Sequence, residues 1–431
     1  MSEQMSQKDW QAIQAFSQAK KEPAFLLALR EKAFQNIDHL DLPDTPKMDV
    51  KRWPLYGAKI QGEGTTDFEL DERYQHHGQE ALMNQFGDQT LSLDLSQNLK
   101  DQGVILMDIF EAMQAYPDFF KDYYMTKAAK PGDNKITAYH TAYMNSGVFL
   151  YVPENVQVEE PIVVNAFQDA SQDLAYNHHV LIVAEAHAKF SFVERFQTHG
   201  DQANSANILT EIIAADHAEV HYAALDELGE NTTGFITRRG HCGPEARIDW
   251  AVGMLNDGNV VADYNAELIG DGSVSYVNVV GISDGKQTQG VNSRVSNYGR
   301  HSVGHIYQKG VILDRSRLAF NGIGHIYRGA VGADAQQEER ILMFSDRARG
   351  DVNPILLIDE NDVTAGHAAS MGRVDQEELY YLMSRGISGK EAQRLVIRGF
   401  LGSVIVAIPL QEMREELIEI IDKKLMAIDN D

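Results

Sequence analysis

Cysteine is almost missing from this chain: Cys242 is the only one in 431 residues. A single thiol forms no internal disulfide, which fits a reducing compartment. Positive charge is scarce as well. The 38 Lys and Arg face 63 Asp and Glu, a formal net charge of −25. Such a field repels phosphate backbones and anionic lipid, so neither nucleic acid nor membrane is an expected partner. No apolar run approaches the roughly 20 residues of a membrane-spanning helix. The opening MSEQMSQKDWQAIQAF is polar and has no apolar stretch of a secretory signal. The expected location is therefore cytoplasmic. Apolar residues, at 43%, are plentiful enough for a sizeable core.

The texture changes along the chain. Residues 1–138 read as a mostly helical N-terminal region: Trp10, Ile13 and Phe16 recur at helical spacing, and after Pro23 so do Phe25, Leu26, Leu29, Ala33 and Ile37. Further helix is expected around Phe110, Met113, Phe119 and Tyr123. Residues 139–370 read as short alternating strands. Five segments share the template small-x-apolar-x-apolar, beginning at Ala188, Ala218, Ala246, Gly272 and Ser316, and a Gly-His-Ile-Tyr motif recurs at Gly304 and Gly324. Repeats of 26–30 residues built from alternating strands suggest coils of a β-solenoid, each burying its apolar face only by stacking on its neighbours. A β-sandwich is the competing fold. A solenoid needs its ends covered, and the flanking helical segments suit that role. Residues 371–431 read as a C-terminal helical domain. Asp375-x-x-Glu378 and Ser388-x-x-Glu391 are capping boxes, Gly386 stops the first helix, and Leu410, Met413, Leu417, Ile421 and Leu425 form one apolar face.

Familiar chemistries are missing too. Gly281-Ile-Ser-Asp-Gly285-Lys286-Gln287 lacks the glycine spacing and the following Ser or Thr of a phosphate loop, so it reads as a turn. No Gly-x-Ser-x-Gly elbow is present. The pairs His76-His77 and His178-His179 would point to opposite faces of a strand and chelate poorly. His301 with His305, and His305 with His325, could share a face or an equivalent place in the repeat, but exposed strand histidines are the simpler reading. Cys242 follows His241, whose positive charge would favour thiolate and a redox or cofactor-binding role; the plainer reading is a small buried hydrophobe. His367 stands among Ala365, Gly366, Ala368 and Ala369, where strand texture gives way to helix.

The stretch around His367 also carries a resemblance. Leu342-Met343-Phe344-Ser345-Asp346, Asp351-Val352-Asn353-Pro354, Asp362-Val363, His367-Ala368-Ala369 and Leu379-Tyr380-Tyr381-Leu382-Met383-Ser384-Arg385-Gly386-Ile387 resemble the SufB/SufD family of iron–sulfur cluster assembly proteins. Upstream, Gly147–Pro153, Gly310–Asp314 and Phe320-Asn321-Gly322 are similar to it as well. The resemblance implies a right-handed parallel β-helix flanked by helical domains. It also implies a complex with a SufB-like subunit and a SufC-like ATPase that grips the C-terminal helices, with a homodimer as the state in isolation. On this reading ATP sits on the ATPase partner, and a transient cluster forms where the two solenoid subunits meet. SufB typically has a cysteine in the stretch matching Leu379–Leu382, where this chain has Leu382. SufD typically keeps the histidine matching His367, and many have a cysteine at the place of Ala365. The SufD branch therefore fits better. A cluster usually takes four ligands, mostly thiolates, so one cysteine cannot hold it. His367 is the expected cluster or metal contact, supplying one ligand at most, in a non-catalytic scaffold subunit. The competing function is a β-solenoid enzyme acting on a carbohydrate or small acidic substrate.

Overall fold

The computed structural model describes residues 7–56, 59–62, 68–75, 80–406, 408 and 411–426. The chain starts with helices α1 (Gln7–Ala19) and α2 (Ala24–Asn36). The hairpin β1 (Ala81–Phe86) and β2 (Gln89–Leu95) follows, then α3 (Gln97–Asp101), β3 (Ile105–Asp108), α4 (Ile109–Ala115), α5 (Pro117–Tyr123) and α6 (Lys135–Tyr143). A long run of strands comes next. It opens with β4 (Ser146–Val152), β5 (Ile162–Asp169), β6 (Tyr176–Ala184), β7 (Lys189–His199), β8 (Asn204–Ala214) and β9 (Glu219–Glu227). It continues with β10 (Thr232–Cys242), β11 (Arg247–Met254), β12 (Asn259–Leu268), β13 (Val274–Ser283) and β14 (Thr288–Asn297). It closes with β15 (Val303–Ile312), β16 (Arg317–Ile326), β17 (Asp334–Met343), β18 (Arg349–Ile358) and β19 (Thr364–Arg373). Three helices end the chain: α7 (Gln376–Ser384), α8 (Gly389–Ile405) and α9 (Gln411–Met426).

From β4 on, alternate strands join alternate sheets, all neighbours are parallel, and about eight coils result. This is a parallel β-solenoid, not a sandwich. Inward side chains stack between coils: Phe190, Val220 and Ile248 in one file, Phe192, Tyr222 and Trp250 in the next. Sealing one Phe-sized side chain from water is worth about 2–3 kcal/mol, and the gain comes only from the coil above and below.

One corner of each coil has its own rule. Asn155, His187, His217, Glu245, Gly272, His301 and Gly332 all have φ between 52° and 76°. Each hands its N–H to a carbonyl of the next coil, as His187 does to Asp216 and Gly272 does to Arg300. This corrects the repeat. The small residue matching Ala188, Ala218 and Ala246 is Ser273, not Gly272, so Val274 and Tyr276 face outward. The Ser316 copy lies on the opposite sheet, as does His325 relative to His305, so those two histidines are not equivalent. His301 occupies a corner and shares no strand with His305.

The two outer faces are covered by different parts of the chain. The N-terminal helices bury Leu181, Val183, Leu209 and Ile213 of the even-numbered sheet beneath Phe16, Phe110, Phe120 and Tyr124. A strap with Met48, Val50 and Leu55 crosses the same sheet over Phe235, Val261 and Ala319. The odd-numbered sheet lies beneath Ile397, Leu401, Met413, Leu417 and Ile421 of α8 and α9. The region 1–138 thus carries strands as well as helices: β1 pairs with β5, β3 with β4, and the antiparallel β2 and β3 end the two sheets.

The far end differs from expectation. Asp375 and Ser388 do cap α7 and α8, accepting the amides of Glu377 (2.8 Å) and Glu391 (3.3 Å), and Gly386 adopts φ 90° at the stop. However, α8 and α9 fold back along the sheet face instead of closing the end. Their apolar stripe matches the outward Val280, Ile282 and Val311, and Arg195–Glu416 (2.7 Å) and Lys424–Asp257 (2.5 Å) tie them there. Among the described residues nothing closes the last coil. Leu410 and the His76–His77 pair lie outside the described residues.

Candidate functional site

Among the described residues, edge strands β18 and β19 each have a neighbour on one side only. An unpaired ten-residue edge offers a row of N–H and C=O groups to another chain. Pro354 is tolerated in β18 because an edge position need not donate to a further neighbour. The side chains here are unusually open: Leu357, Ile358 and Met371 are 40–46% exposed. Met371 leans over Gly350, where an added Cβ would meet its sulfur at 2.6 Å and push the methionine aside.

His367 lies in this coil, exposed, on β19. Its register partner is Gln337, whose side chain is buried in the lumen and whose Nε2 donates to the Ile355 carbonyl (3.0 Å). Matched positions of parallel strands face the same way, so the imidazole stands at the open mouth of the lumen. Two residues along β17, buried Glu339 accepts the Asn353 amide (3.2 Å), and burial pushes its carboxyl up to about 7. The pattern of small residues around His367 did not point to Glu339, a residue whose inward direction is set only by coil register.

Cys242 does not join this site. It is four coils away on the lumen side of β10, or about 19 Å at the usual strand spacing. It is fully buried, and burial raises its thiol well above the ordinary range, with the charge of Asp249 adding to the rise. His241 cannot counter this, because successive strand residues face opposite sides. We expect the native thiol to react with a disulfide reagent at least about 10³-fold more slowly than the unfolded thiol. Equal rates would place Cys242 at the surface.

His178 and His179 do diverge. His178 meets Ser146 and Tyr176 in the lumen at 3.0 and 3.2 Å. His179 turns outward to His140 (3.0 Å) and Glu211 (3.2 Å), and the Glu211 carboxylate in turn accepts the amides of Met125 and Ala129. The chain of contacts pins α6 and the 124–130 segment to the solenoid. Among the described residues no three His, Cys, Asp or Glu side chains converge as a metal site. Among the described residues, the open end presents the His367 imidazole and two unpaired strand edges, and Cys242 is not there.

Known families decide where this architecture belongs. The pattern described as "SUF system FeS cluster assembly, SufBD core domain" matches residues 166–400, and "SufBD protein N-terminal region" matches 79–164. The chain belongs to the SufBD family. It is 40% identical over 428 residues to "Iron-sulfur cluster assembly protein SufD" of Bacillus subtilis, covering 97% of this chain and 98% of that one. To SufB of the same organism it is 22% identical, covering 93% and 89%. A SufBD family protein of Staphylococcus saprophyticus is 23% identical with the same coverage. Within the SufBD family the chain is most like SufD. No helix among the described residues is long and apolar enough to cross a membrane.

Proposed function

We propose that this chain is the non-catalytic, SufD-like scaffold of a cytoplasmic cluster-assembly complex. It joins a SufB-like subunit through the open end of its solenoid and a SufC-like ATPase through its C-terminal helices. The observation that carries this reading is the uncovered last coil: two free strand edges, exposed Leu357, Ile358 and Met371, and His367 at the mouth. The likeness to a SufD supports the identity of the partners. A second exposed patch, Tyr380, Tyr381 and Met383 on α7, suits the ATPase. The transient iron–sulfur cluster is cargo of the assembled interface. The SufB-like chain supplies its thiolates, this chain supplies His367, and ATP binds the ATPase alone.

Co-expression with a cysteine-bearing family member and the ATPase should give a three-component complex; a chain that purifies alone refutes the reading. In cells that depend on the complex, His367→Ala should leave assembly intact and lower cluster yield by about 10-fold or more, the range for loss of one metal-site group. Normal yield would make His367 structural.

One observation favours the solenoid enzyme instead. A cleft of about 1240 Å³ between the β1 region, β5 and α9 is lined by Glu80, Glu159, Glu160, Glu415 and Glu419, with Glu416 held by Arg195. Turnover of a carbohydrate by the isolated chain, abolished by Glu415→Gln or Glu419→Gln, would establish it.

A further inference from the structure

The outer face of the even-numbered sheet is covered by the N-terminal helices and the strap, but the cover stops short of one corner. There Glu267, Ser296, His325 and Leu357 form one outward file across β12, β14, β16 and β18. Beside it run Ile269, Tyr298, Tyr327 and Asp359, whose amides continue the parallel ladder: Tyr298 donates to Leu268, Tyr327 to Asn297 and Asp359 to Ile326. The two files make a ridge. Tyr298 and Tyr327 stack with ring centroids 4.1 Å apart at 13°, and His325 lies on Tyr327 at 3.7 Å and 22°.

This ridge is uncovered among the described residues. Ile269 is 42% exposed, Tyr298 37% and Leu357 40%, so three of its apolar members face water. His325 is held beneath it, with Nε2 facing the Asp359 carboxylate at 3.1 Å. Stacked, preordered tyrosines cost little entropy to bind against and are a common centre of protein contacts.

The ridge also has a direction. Its last member, Leu357, belongs to the free edge strand β18. A strand added to that edge would lie about 4.8 Å beyond it and continue the Leu357 file directly, whereas Tyr298 lies two coils back. We propose that the solenoid partner at the open end does not stop at the edge: it folds a segment back over Leu357, Tyr327 and Tyr298. That segment is apolar where it meets the rings. The inference rests on the SufB-like partner of the preceding section and adds a second contact to it.

The test is the affinity of the full-length chain for the co-expressed SufB-like subunit, measured by sedimentation. Tyr298→Ala should weaken it by about 30-fold, the scale of a central interface tyrosine. Tyr116→Ala, an equally exposed tyrosine after α4 on the N-terminal region, should leave it unchanged. Thermal melting of each variant identifies loss of folding, and Tyr298→Phe, which keeps the ring, should bind like wild type and rules out such loss as the cause. If wild type binds and Tyr298→Ala binds equally, the ridge contact is refuted and the end-on partner stands. If wild type does not bind at all, the partner reading fails and the ridge contact falls with it. Loss of self-association alone in Tyr298→Ala would assign the ridge to a second copy, overturning the proposal.

Discussion

Arg238→Met should destabilise the protein by about 3–5 kcal/mol, the cost of removing one partner from a buried ion pair. Arg238 lies wholly inside the solenoid. Its Nη1 and Nη2 grip the two oxygens of Asp226 at 2.9 and 2.7 Å, Nε donates to the Tyr222 hydroxyl at 2.7 Å, and Nη1 also reaches the Tyr264 hydroxyl at 2.9 Å. Glu194, 3.5 Å from Nη2, receives the hydroxyls of Tyr222 and Thr210. Without the guanidinium, Asp226 is left buried with no cation beside it. Urea unfolding of Arg238→Met reads the loss directly. Combining it with Asp226→Asn should recover most of that loss, since a neutral pair leaves no stranded charge. A single variant within about 1 kcal/mol of wild type would mean that water reaches the lumen and screens the pair.

None of this network could be read from the sequence. Arg238 and Arg239 are adjacent and chemically alike, and only strand phase sends the first inward and the second to Asp263 on the outer face of the sheet. Phase was legible where inward residues are large, as in Phe190–Phe192 or Ile248–Trp250. It was lost at β13, where the inward residues begin with Ser273 and Ser275 and the corner residue Gly272 imitates the small template position. The solenoid and the helix caps were legible, because each depends on local pattern; the handover was placed too early, since β19 runs past His367 to Arg373 before α7 begins at Gln376. The open end was not legible. An apolar stripe on α9 says that the helix is covered, but not whether the cover is the end of the solenoid or the flank of a sheet.

Stability should be greatest between about pH 4.5 and 6.5 and fall on both sides, because buried acids and buried histidines pull in opposite directions. Burial raises Glu194 and Glu339 to about 7 and Glu211 to about 8 from an ordinary 4.5. Each binds its proton more tightly folded than unfolded. The stability it contributes is complete below about pH 4.5 and is lost as pH rises to 7 or 8. Burial depresses His178 and His179 to about 3 from 6.5, and His140 well below 6.5. For these the order reverses: their contribution is complete above 6.5 and is lost as pH falls toward 3. Between 4.5 and 6.5 three acids and three histidines oppose one another and the slopes cancel. Above 6.5 only the acids still titrate, each costing about 1.4 kcal/mol per pH unit. Equilibrium unfolding at pH 5.5, 7 and 8 should therefore show a decline that starts near neutrality, and stability that climbs steadily to pH 8 would contradict it. Glu211→Gln separates the contributions. Its carboxylate is held by the amides of Met125 and Ala129 and by His179, so an amide in its place stays uncharged and should flatten the decline between pH 7 and 8. Ionisation of Glu211 between pH 7 and 8 should loosen α6 and the 124–130 segment in wild type. Hydrogen exchange that accelerates there over that range in wild type, and not in Glu211→Gln, would assign this N-terminal hold to Glu211.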